Sequence, residues 1–551
     1  MPATLPSDVY DFIIVGAGPA GCALASALAT SVAAPKVLLV EAGDGNQDEQ
    51  LRIAANRHIQ HRNPSQSWGY TSAPEPNLDD RVLDLARGKG LGGSSAVNFT
   101  VWTEGPRGDM DRMAKFTDDD SWGWEKVKER YRRLTTQSMD TGSLRVGYAA
   151  EYNSEIVTLV DHFASNGIPL QTTANGDTPM GMAIYPVSSY RGRRSTAADL
   201  LHKPPQNITI LTNCTVHRII FDGNVATGVA THDGQILQAR KEVIISSGTM
   251  ESPKILMHSG IGPSEQLTEF GIPVLYSNPH VGQNFQDHVT VMLRWQRTEL
   301  TSMKSPYFRD EAAKEAAINE WKQFGTGPYA YFQSTPALGF FKSNTLLASD
   351  EFAALPSDEQ EHIKASTIPT HEICLTATTP EYDVGTEDTP ATITVLLILQ
   401  NLQSRGSFTL QSSDPSVPLL FKTGYLEHPF DRKLAIESMR ETMDFMRSDS
   451  FQKHYTVMSE PESTSDDDIL RFWRKNAGTC WHMSSTCSMG IDNDGSKGGV
   501  VDRDFQVYGT QRLRIVDCSV FPFLPSTHIQ AHAYQIGMIA AEKILKKHEL
   551  S

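Results

Sequence analysis

Two short segments carry the residues whose types and spacing could do chemistry. One is the glycine pattern of Gly16, Gly18 and Gly21, and the other runs from His482 to Gly490. A GxGxxG pattern holds a dinucleotide when the first glycine permits a tight turn, the second lets the backbone approach a pyrophosphate and the third lets a helix pack closely on a strand. The histidine that opens the second segment can supply a base.

The elements around the glycines favour a dinucleotide site over a glycine-rich turn without a ligand. An apolar run at 11–15 precedes them and a helical composition follows at 22–29, which predicts a strand, a turn and a helix whose N-terminus faces negative charge. A second apolar strand at 36–40 then ends in Glu41. An acidic side chain about twenty residues beyond the glycines is the ribose partner in this fingerprint.

The composition is that of an ordinary globular chain with an acidic balance. The 551 residues are 39% hydrophobic and 21% charged, and the net charge is −16. At about 150 residues per domain, this length predicts two to four domains. The negative charge argues against nucleic acid or an anionic membrane surface as a partner, and no apolar run reaches transmembrane length.

The six cysteines lack CxxC or other metal-ligand spacing, so the sequence predicts neither a disulfide framework nor a metal site. Residues 1–10 show no basic and apolar regions of a secretory signal. We therefore expect a cytoplasmic protein, with a secreted mature form as the alternative.

Further along the chain, glycine-rich segments alternate with predicted strands. The stretch 88–98 offers backbone N–H groups and small hydroxyls that could wrap a phosphate or a ring edge, although a flexible linker is the alternative. Separate strand-like runs at 236–239 and 243–245 end a predicted small sheet that returns to the dinucleotide domain. A glycine-bearing turn at 246–253 then leads into a predicted helix at 254–258.

The middle of the chain, from about Val291 to Arg474, mixes long strands with amphipathic helices and lacks a phosphate-type glycine loop. We interpret it as a substrate-binding domain. Two aromatic-rich segments at 307–341 and 421–430 could form an apolar pocket wall or could equally belong to the core.

The motifs together resemble the glucose-methanol-choline (GMC) flavoprotein oxidoreductases over essentially the whole length. The matching segments, in order, are 16–21 with Glu41, 88–102, 248–263, 281–288, and 482–490 with 507–543. The resemblance implies an α/β fold in which a Rossmann-like FAD-binding domain is interleaved with an α+β substrate-binding domain, an antiparallel sheet flanked by helices. The implied FAD-binding domain comprises 8–155, 204–292 and 483–551, and the substrate-binding domain comprises 156–203 and 293–482.

The resemblance also implies which residues hold FAD. They are Gly16, Gly18, Gly21, Glu41, Arg87, Gly92, Gly93, Ser94, Asn98, Val216, Asp517, His528 and Ile529. Of these, the three N-terminal glycines and Glu41 would bind the ADP half, and Val216 would contact adenine through its backbone. Some family members attach FAD covalently through a histidine where this chain has Val97, so we expect noncovalent FAD.

His482 and His528 align with the two active-site positions of the family. A neutral imidazole within reach of an alcohol hydroxyl takes its proton as the flavin accepts a hydride, so His482 is the candidate base. His528 would orient the same oxygen or share the proton. Ser485 departs from the glycine that usually precedes Thr486, and the family pattern gives His532 no role.

The leading hypothesis is FAD-dependent oxidation of a primary, aromatic or otherwise apolar alcohol to the carbonyl, with O2 or another electron acceptor reoxidising the flavin. The segment 521–525 before His528 resembles aryl-alcohol-oxidising fungal members, and a specialised biosynthetic pathway is the expected setting. One alternative is a lyase or cyclase that keeps FAD as a structural element. Another is a flavin-binding protein without catalysis, which the two histidines disfavour.

Overall fold

The computed structural model describes residues 9–54, 63–136, 144–148, 154–171, 175–297, 310–327, 329–330, 337–377, 392–490 and 498–550. The strands of its two large sheets are β1 (Tyr10–Val15), β2 (Val37–Val40), β3 (Ile208–Leu211), β4 (Val216–Asp222), β5 (Val225–Thr231), β6 (Ile236–Ile245), β7 (Val289–Arg297), β8 (Ala337–Phe341), β9 (His371–Ala377), β10 (Thr392–Leu399), β11 (Tyr455–Ser459), β12 (Gly478–Thr479) and β13 (Leu513–Ile515).

The helices are α1 (Pro19–Ala29), α2 (Arg107–Thr117), α3 (Trp124–Leu134), α4 (Ser154–Ser165), α5 (Gly248–His258), α6 (Ser264–Glu269), α7 (Glu311–Phe324), α8 (Asn344–Leu347), α9 (Asp350–Ala353), α10 (Ser357–Lys364), α11 (Pro429–Met446), α12 (Asp449–Gln452), α13 (Asp466–Asn476) and α14 (Gln530–Lys547). Short paired strands join 135–136 to 144–145, 189–190 to 193–194, 261–262 to 276–277, and 407–409 to 420–422. Within the described ranges, no helix is both long and apolar enough to span a bilayer.

The first sheet has the order β3-β2-β1-β6-β5-β4, with β13 paired to β6. Its β3, β2, β1, β6 and β13 run parallel, whereas β6-β5-β4 form an antiparallel meander. The apolar side chains of β1 and β2 are buried on both faces, as expected for parallel strands covered by helices. Gly18 caps α1 and Pro19 occupies its first turn, where a missing N–H costs nothing.

Strand β6 is one ten-residue strand where the sequence predicted two. Its first half pairs antiparallel with β5 and its second half pairs parallel with β1 and β13. Arg240 and Lys241 mark the change of partner, and their polar side chains are not buried. The prediction of a break there was wrong because a strand that changes neighbours tolerates polar residues without ending.

Helix α5 begins at Gly248, six residues before the predicted start, and it contains Pro253. Proline inside a helix deprives the carbonyl four residues earlier of its N–H partner, which is why Pro253 indicated a turn. That carbonyl belongs to Thr249, and it accepts a hydrogen bond of 2.7 Å from the Thr486 hydroxyl instead. A residue more than two hundred positions away thus keeps the helix intact.

The second sheet is antiparallel, in the order β8-β9-β10-β7-β11, with β12 paired to β7. Helix α11 packs on β10 and on α13. The prediction of a Rossmann-like domain combined with an antiparallel sheet and flanking helices is confirmed. The domain boundaries stay a prediction, and residues 8 and 551, which end the expected FAD-binding domain, lie outside the described residues.

The described residues of the two aromatic-rich segments belong to the core rather than to the wall of the large cavity. The side chains of Trp321, Phe340, Phe421 and Phe430 are buried in hydrophobic clusters. None of the described residues of either segment lines the large cavity. Residues 307–309, 328 and 331–336 of the first segment lie outside the described residues.

Candidate active site

A cavity of about 740 Å³ lies between the two sheets. Four polypeptide segments that follow parallel strands of the first sheet line it, namely those of Gly16 after β1, Glu41 after β2, Ser246 after β6 and Asp517 after β13. Ligands of open α/β sheets bind at the carboxyl ends of the strands. The cavity therefore lies where a dinucleotide is expected.

The N-terminal glycines have the geometry that the fingerprint requires. Gly16 has a φ of 103°, and a Cβ there would lie 2.4 Å from the Ser246 carbonyl oxygen. A Cβ at Gly21 would lie 2.0 Å from the Gly16 carbonyl oxygen, so no side chain fits between strand and helix. A Cβ at Gly18 would meet no protein atom within 4 Å, which leaves open space for a phosphate at the N-terminus of α1.

Two substitutions separate packing from cofactor binding. In Gly21→Ala the methyl clashes with backbone, so we expect the free energy of unfolding to fall by roughly 1–3 kcal/mol. In Gly18→Ala the apoprotein keeps its Tm, but FAD content falls at least about tenfold because the methyl occupies the approach to the pyrophosphate. Thermal unfolding and flavin absorbance per mole of protein measure both effects. Full FAD content in Gly18→Ala would contradict this assignment.

Glu41 connects three glycine segments in addition to offering a ribose partner. Its carboxylate accepts hydrogen bonds from the backbone N–H groups of Ala17 at 2.8 Å, Gly43 at 2.9 Å and Gly90 at 2.9 Å. Burial raises the pKa of this carboxyl, and the three backbone bonds oppose the rise. A carboxylate has about four acceptor sites, so capacity remains for a ribose hydroxyl.

The glycine-serine loop folds into a single turn of 3₁₀ helix, Gly93–Ala96, whose residues Gly93 and Ser94 line the cavity. Gly92, with a φ of 96°, precedes this turn and does not line the cavity, and neither does Gly21. Both residues therefore act on the site through backbone geometry. The flexible-linker alternative is not supported, because the loop packs against Gly18 and is hydrogen-bonded to Ala17.

Arg194, which the sequence reading missed, fixes this loop from behind. Its buried guanidinium donates to the Asn98 carbonyl at 2.7 Å, the Asn98 side-chain oxygen at 2.8 Å and the Leu51 carbonyl at 3.1 Å. Asn98 in turn lines the cavity and donates to Gln530 at the start of α14. No local motif marks Arg194, since Asn98 lies 96 residues and Leu51 143 residues earlier in the chain.

The remaining residues expected to bind FAD also line the cavity. They are Arg87, Val216, Asp517, His528 and Ile529. Asp517 accepts hydrogen bonds from the Gly248 N–H at 3.0 Å and the Ser252 hydroxyl at 2.6 Å, and thereby holds the start of α5 at the cavity.

Three buried polar atoms of residues that line the cavity, Thr100 Oγ1, Ser246 Oγ and Gln530 Nε2, have no hydrogen-bond partner within the described part of the chain. Unsatisfied buried polar groups are costly, so their presence in a cavity indicates a polar ligand. Together with the open space at Gly18, they fit the pyrophosphate and ring edges of FAD.

His482 and His528 lie side by side at the cavity. Their ring centroids are 4.7 Å apart with an interplanar angle of 76°, and both rings line the cavity. His482 Nδ1 lies 2.8 Å from Nδ1 of His288, and His528 Nε2 lies 2.7 Å from a carboxylate oxygen of Glu372. The structure thus brings both predicted histidines together and gives each a buried partner that the sequence reading did not identify.

The electrostatic surroundings keep His482 neutral. Burial lowers its pKa well below the ordinary 6.5, and the neighbouring His528 and His288 lower it further. Burial likewise lowers the pKa of His288 to about 3. For Nε2 of His482 to accept a proton, its Nδ1 must carry the hydrogen and donate it to His288.

Asp287 anchors the backbone of His482 and that of its partner His288. One carboxylate oxygen accepts from the His482 and His288 N–H groups, each at 2.8 Å, and the other accepts from the Tyr425 hydroxyl at 2.5 Å. Burial raises the pKa of Asp287 to about 6, and these hydrogen bonds oppose the rise. The segment 281–288 resembled a family motif, but the sequence alone did not indicate this anchoring role.

Ser485, the departure from the usual glycine, has a φ of 76°. This is the left-handed region that favours glycine, so the serine costs about 1 kcal/mol or more of backbone strain. Its N–H donates to the Cys518 carbonyl at 3.1 Å, and its hydroxyl lies 3.0 Å from that of Ser484. These contacts hold the strained backbone in place.

Glu372 gave no signal in the sequence beyond an acidic residue in an apolar strand. His532 is fully buried, and neither ring nitrogen has a partner within the described residues. Its ring does not line the cavity, so the structure assigns it no part in the site.

Comparison with known proteins agrees with this geometry. The N-terminal GMC oxidoreductase family model matches residues 10–290 and the C-terminal model matches residues 403–537. Pyranose dehydrogenase 3 of Leucoagaricus meleagris is 30% identical over 99% of this chain and 95% of its own length. The oxygen-dependent choline dehydrogenase of Sinorhizobium medicae is 28% identical over 98% of this chain and 96% of its own.

Solved structures share the fold. A formate oxidase of Aspergillus oryzae superimposes with a TM-score of 0.87 at 26% identity, over 99% of this chain and 100% of that chain. A fungal aryl-alcohol oxidase does so with a TM-score of 0.84 at 24% identity, over 99% of this chain and 100% of that chain. The chain belongs to the GMC oxidoreductase family and is an FAD-dependent oxidoreductase acting on CH–OH groups.

Proposed function

We propose that the enzyme oxidises a primary alcohol, aromatic or otherwise apolar, to the carbonyl compound, with His482 as the general base. The observation that carries the proposal is the buried, neutral imidazole of His482 beside His528. Both histidines line the same cavity as Gly16, Gly18 and Gly93. A neutral imidazole within reach of a hydroxyl is the group that alcohol oxidation needs.

Each residue of the site has a separable task in this reaction. Bound FAD supplies the hydride acceptor. His482 Nε2 removes the hydroxyl proton of the substrate, while its Nδ1 donates to His288 and fixes the ring. His528, whose Nε2 is held by Glu372, orients the substrate oxygen or shares the proton through its other ring nitrogen. Proton removal of this kind contributes about 10²- to 10⁴-fold to the rate.

An apolar substrate is favoured by the side chains close to His482. Phe99 and Trp481 stack on each other with ring centroids 5.9 Å apart, and both line the cavity. Met292 and Leu396, on strands β7 and β10 of the antiparallel sheet, also line the cavity. Such surfaces bury an aryl or alkyl group better than a sugar ring, whose hydroxyls would need partners.

The decisive test is anaerobic mixing of the FAD-loaded enzyme with aryl, aliphatic and sugar alcohols and choline, with flavin absorbance as the readout. We expect aryl or aliphatic primary alcohols to bleach the flavin faster than pyranoses or choline. Readmitted oxygen that restores the colour and yields peroxide identifies an oxidase. Slow recovery that an artificial acceptor accelerates identifies a dehydrogenase. If no alcohol bleaches a flavin that dithionite reduces, the proposal fails in favour of a lyase or cyclase.

We also propose a cytoplasmic location, because all six cysteines are free thiols, as is usual in a reducing compartment. Fractionation of cells that express the natural gene tests this proposal. A role in specialised metabolism stays a prediction.

A further inference from the structure

A thiol lies beside the nitrogen of His482 that takes the proton of the substrate. The Sγ atom of Cys480 is 4.0 Å from His482 Nε2, a distance at which a thiol can form a weak hydrogen bond. The other ring nitrogen, Nδ1, is occupied by His288 at 2.8 Å. Cys480 therefore lies on the side of the ring from which a substrate hydroxyl must approach.

The distances leave little room between this sulfur atom and a bound alcohol. The hydroxyl oxygen must come within about 2.6–3.2 Å of Nε2 for the proton to be transferred. The carbon that bears the hydroxyl is one bond further away, which places it at nearly the same distance from Nε2 as the sulfur. A substituent on that carbon therefore shares the space beside Nε2 with Cys480.

The thiol is backed by packed side chains, although its front is partly exposed and lines the cavity. The Cys480 N–H donates to the His288 carbonyl at 2.9 Å. Asp287 holds the chain on both sides of it, since its carboxylate accepts from the Thr479 hydroxyl and the His482 N–H. Behind the sulfur lies a buried cluster of Ala183, Tyr185, Leu338, Phe340, Cys374 and Ile398. Because packed interiors resist such shifts, the sulfur cannot retreat from a bulky substrate.

The chemistry of the thiol is that of a small apolar group. Burial raises the pKa of Cys480 well above the ordinary 9.0, and the nearby carboxyls of Glu372 and Asp287 raise it further. The thiolate, not the thiol, is the nucleophile and metal ligand. A neutral thiol behaves as a small hydrophobic side chain, so Cys480 acts on a substrate through its volume.

We propose that Cys480 selects primary over secondary alcohols, because its sulfur occupies the space that a second carbon substituent would need. The inference rests on the proposed function and specifies its substrate class. In a primary alcohol one hydrogen of the reacting carbon leaves as the hydride, the hydroxyl proton goes to His482 Nε2, and the remaining hydrogen can face the sulfur. In a secondary alcohol a carbon replaces that remaining hydrogen and collides with the thiol.

The test compares benzyl alcohol with 1-phenylethanol and hexan-1-ol with heptan-2-ol, pairs that differ by one methyl group on the reacting carbon. In the wild type we expect anaerobic flavin reduction to favour the primary alcohol of each pair by about 100-fold in rate constant over Kd. Cys480→Ala should reduce this ratio at least about tenfold, because the secondary alcohol gains the space of the sulfur. Cys480→Ser, which keeps an atom at that position, should retain most of the ratio.

Cys214→Ala is the matched control, and it should leave the ratio unchanged. Cys214 also lines the cavity, but its N–H donates to the Glu41 carbonyl at 2.9 Å, among the glycine segments. Binding of 2-phenylpropan-2-ol, a tertiary alcohol that has no hydride to give, provides a readout apart from turnover. Its Kd, followed by perturbation of the flavin spectrum, should fall about tenfold in Cys480→Ala.

Failure of this inference and failure of the proposed function give different results. Equal rates with both members of each pair in the wild type, or an unchanged ratio in Cys480→Ala, would overturn selection by Cys480 and leave alcohol oxidation intact. Absence of flavin reduction with every alcohol would overturn the proposed function instead. An unchanged Kd of the tertiary alcohol in Cys480→Ala would then reject the steric role of the thiol as well.

Discussion

Replacing His482 with alanine slows flavin reduction by the alcohol about 10²- to 10⁴-fold, while the variant still binds FAD. The loss follows from the position of the ring, which is buried at the cavity 4.7 Å from the ring centroid of His528. Among the described histidines only His528 also lines the cavity, and its Nε2 is already engaged by Glu372. Rapid-mixing spectroscopy under anaerobic conditions measures the rate, and the flavin spectrum of the purified variant measures cofactor content.

The control for this experiment is His232→Ala. His232 is exposed at the turn between β5 and β6, away from the cavity wall, so its removal should leave the rate unchanged. A His482→Ala variant that reduces its flavin within about threefold of the wild type would remove His482 from the role of base. Loss of FAD together with activity would instead indicate a structural role.

The pH dependence of the same step follows from the lowered pKa of His482. The base form must be neutral, and burial beside His528 and His288 keeps it neutral until the pH falls well below 6.5. We therefore expect a reduction rate that is constant through neutral pH and falls only in acid. An inflection at or above the ordinary histidine pKa would contradict the burial argument.

The N-terminal part of the FAD site, formed by the glycine turn and Glu41, could be predicted from the sequence because the residues that define it are close together in the chain. The turn at Gly16 needs a positive φ, and position 21 has no room for a side chain. Glycine meets both requirements, so two glycines five positions apart are visible in the sequence. Glu41 follows directly from the end of the next strand. Short-range geometry of this kind leaves a readable pattern.

The partners of the histidines could not be predicted because strand pairing brings them together. Glu372 and His528 are separated by 156 residues, and only the position of β9 in its sheet places the carboxylate beside the ring. The Asn98 carbonyl and the guanidinium of Arg194 are 96 residues apart. No periodicity or spacing within the separate segments indicates these two long-range contacts.

Glu372 is the positioning residue whose substitution has the second large effect. Its side chain is fully buried, with one carboxylate oxygen 2.7 Å from His528 Nε2 and the other accepting from Gln400 at 3.2 Å. A carboxylate at that distance accepts a hydrogen bond from His528 Nε2 and so fixes the ring orientation. Glutamine keeps the size of the side chain but removes the charge.

We expect Glu372→Gln to slow flavin reduction about 10- to 100-fold, the value of one hydrogen bond to a charged group. The Tm should hold, because glutamine keeps the size of the side chain and its amide oxygen can still accept a hydrogen bond from His528 Nε2. Glu441→Gln, which alters a carboxyl on α11 bonded to Ser343, is the control and should leave the rate unchanged.

A double-substitution cycle with His528→Ala tells a positioning role from a general structural one. If Glu372 acts only through His528, adding Glu372→Gln to His528→Ala costs nothing further, and the coupling equals the whole effect of the single substitution. If the two losses instead add, Glu372 acts on the site by another path. The rate of flavin reduction in Glu372→Asp should stay below that of the wild type. The shorter side chain moves the carboxylate away from the His528 ring, which lines the cavity beside the substrate.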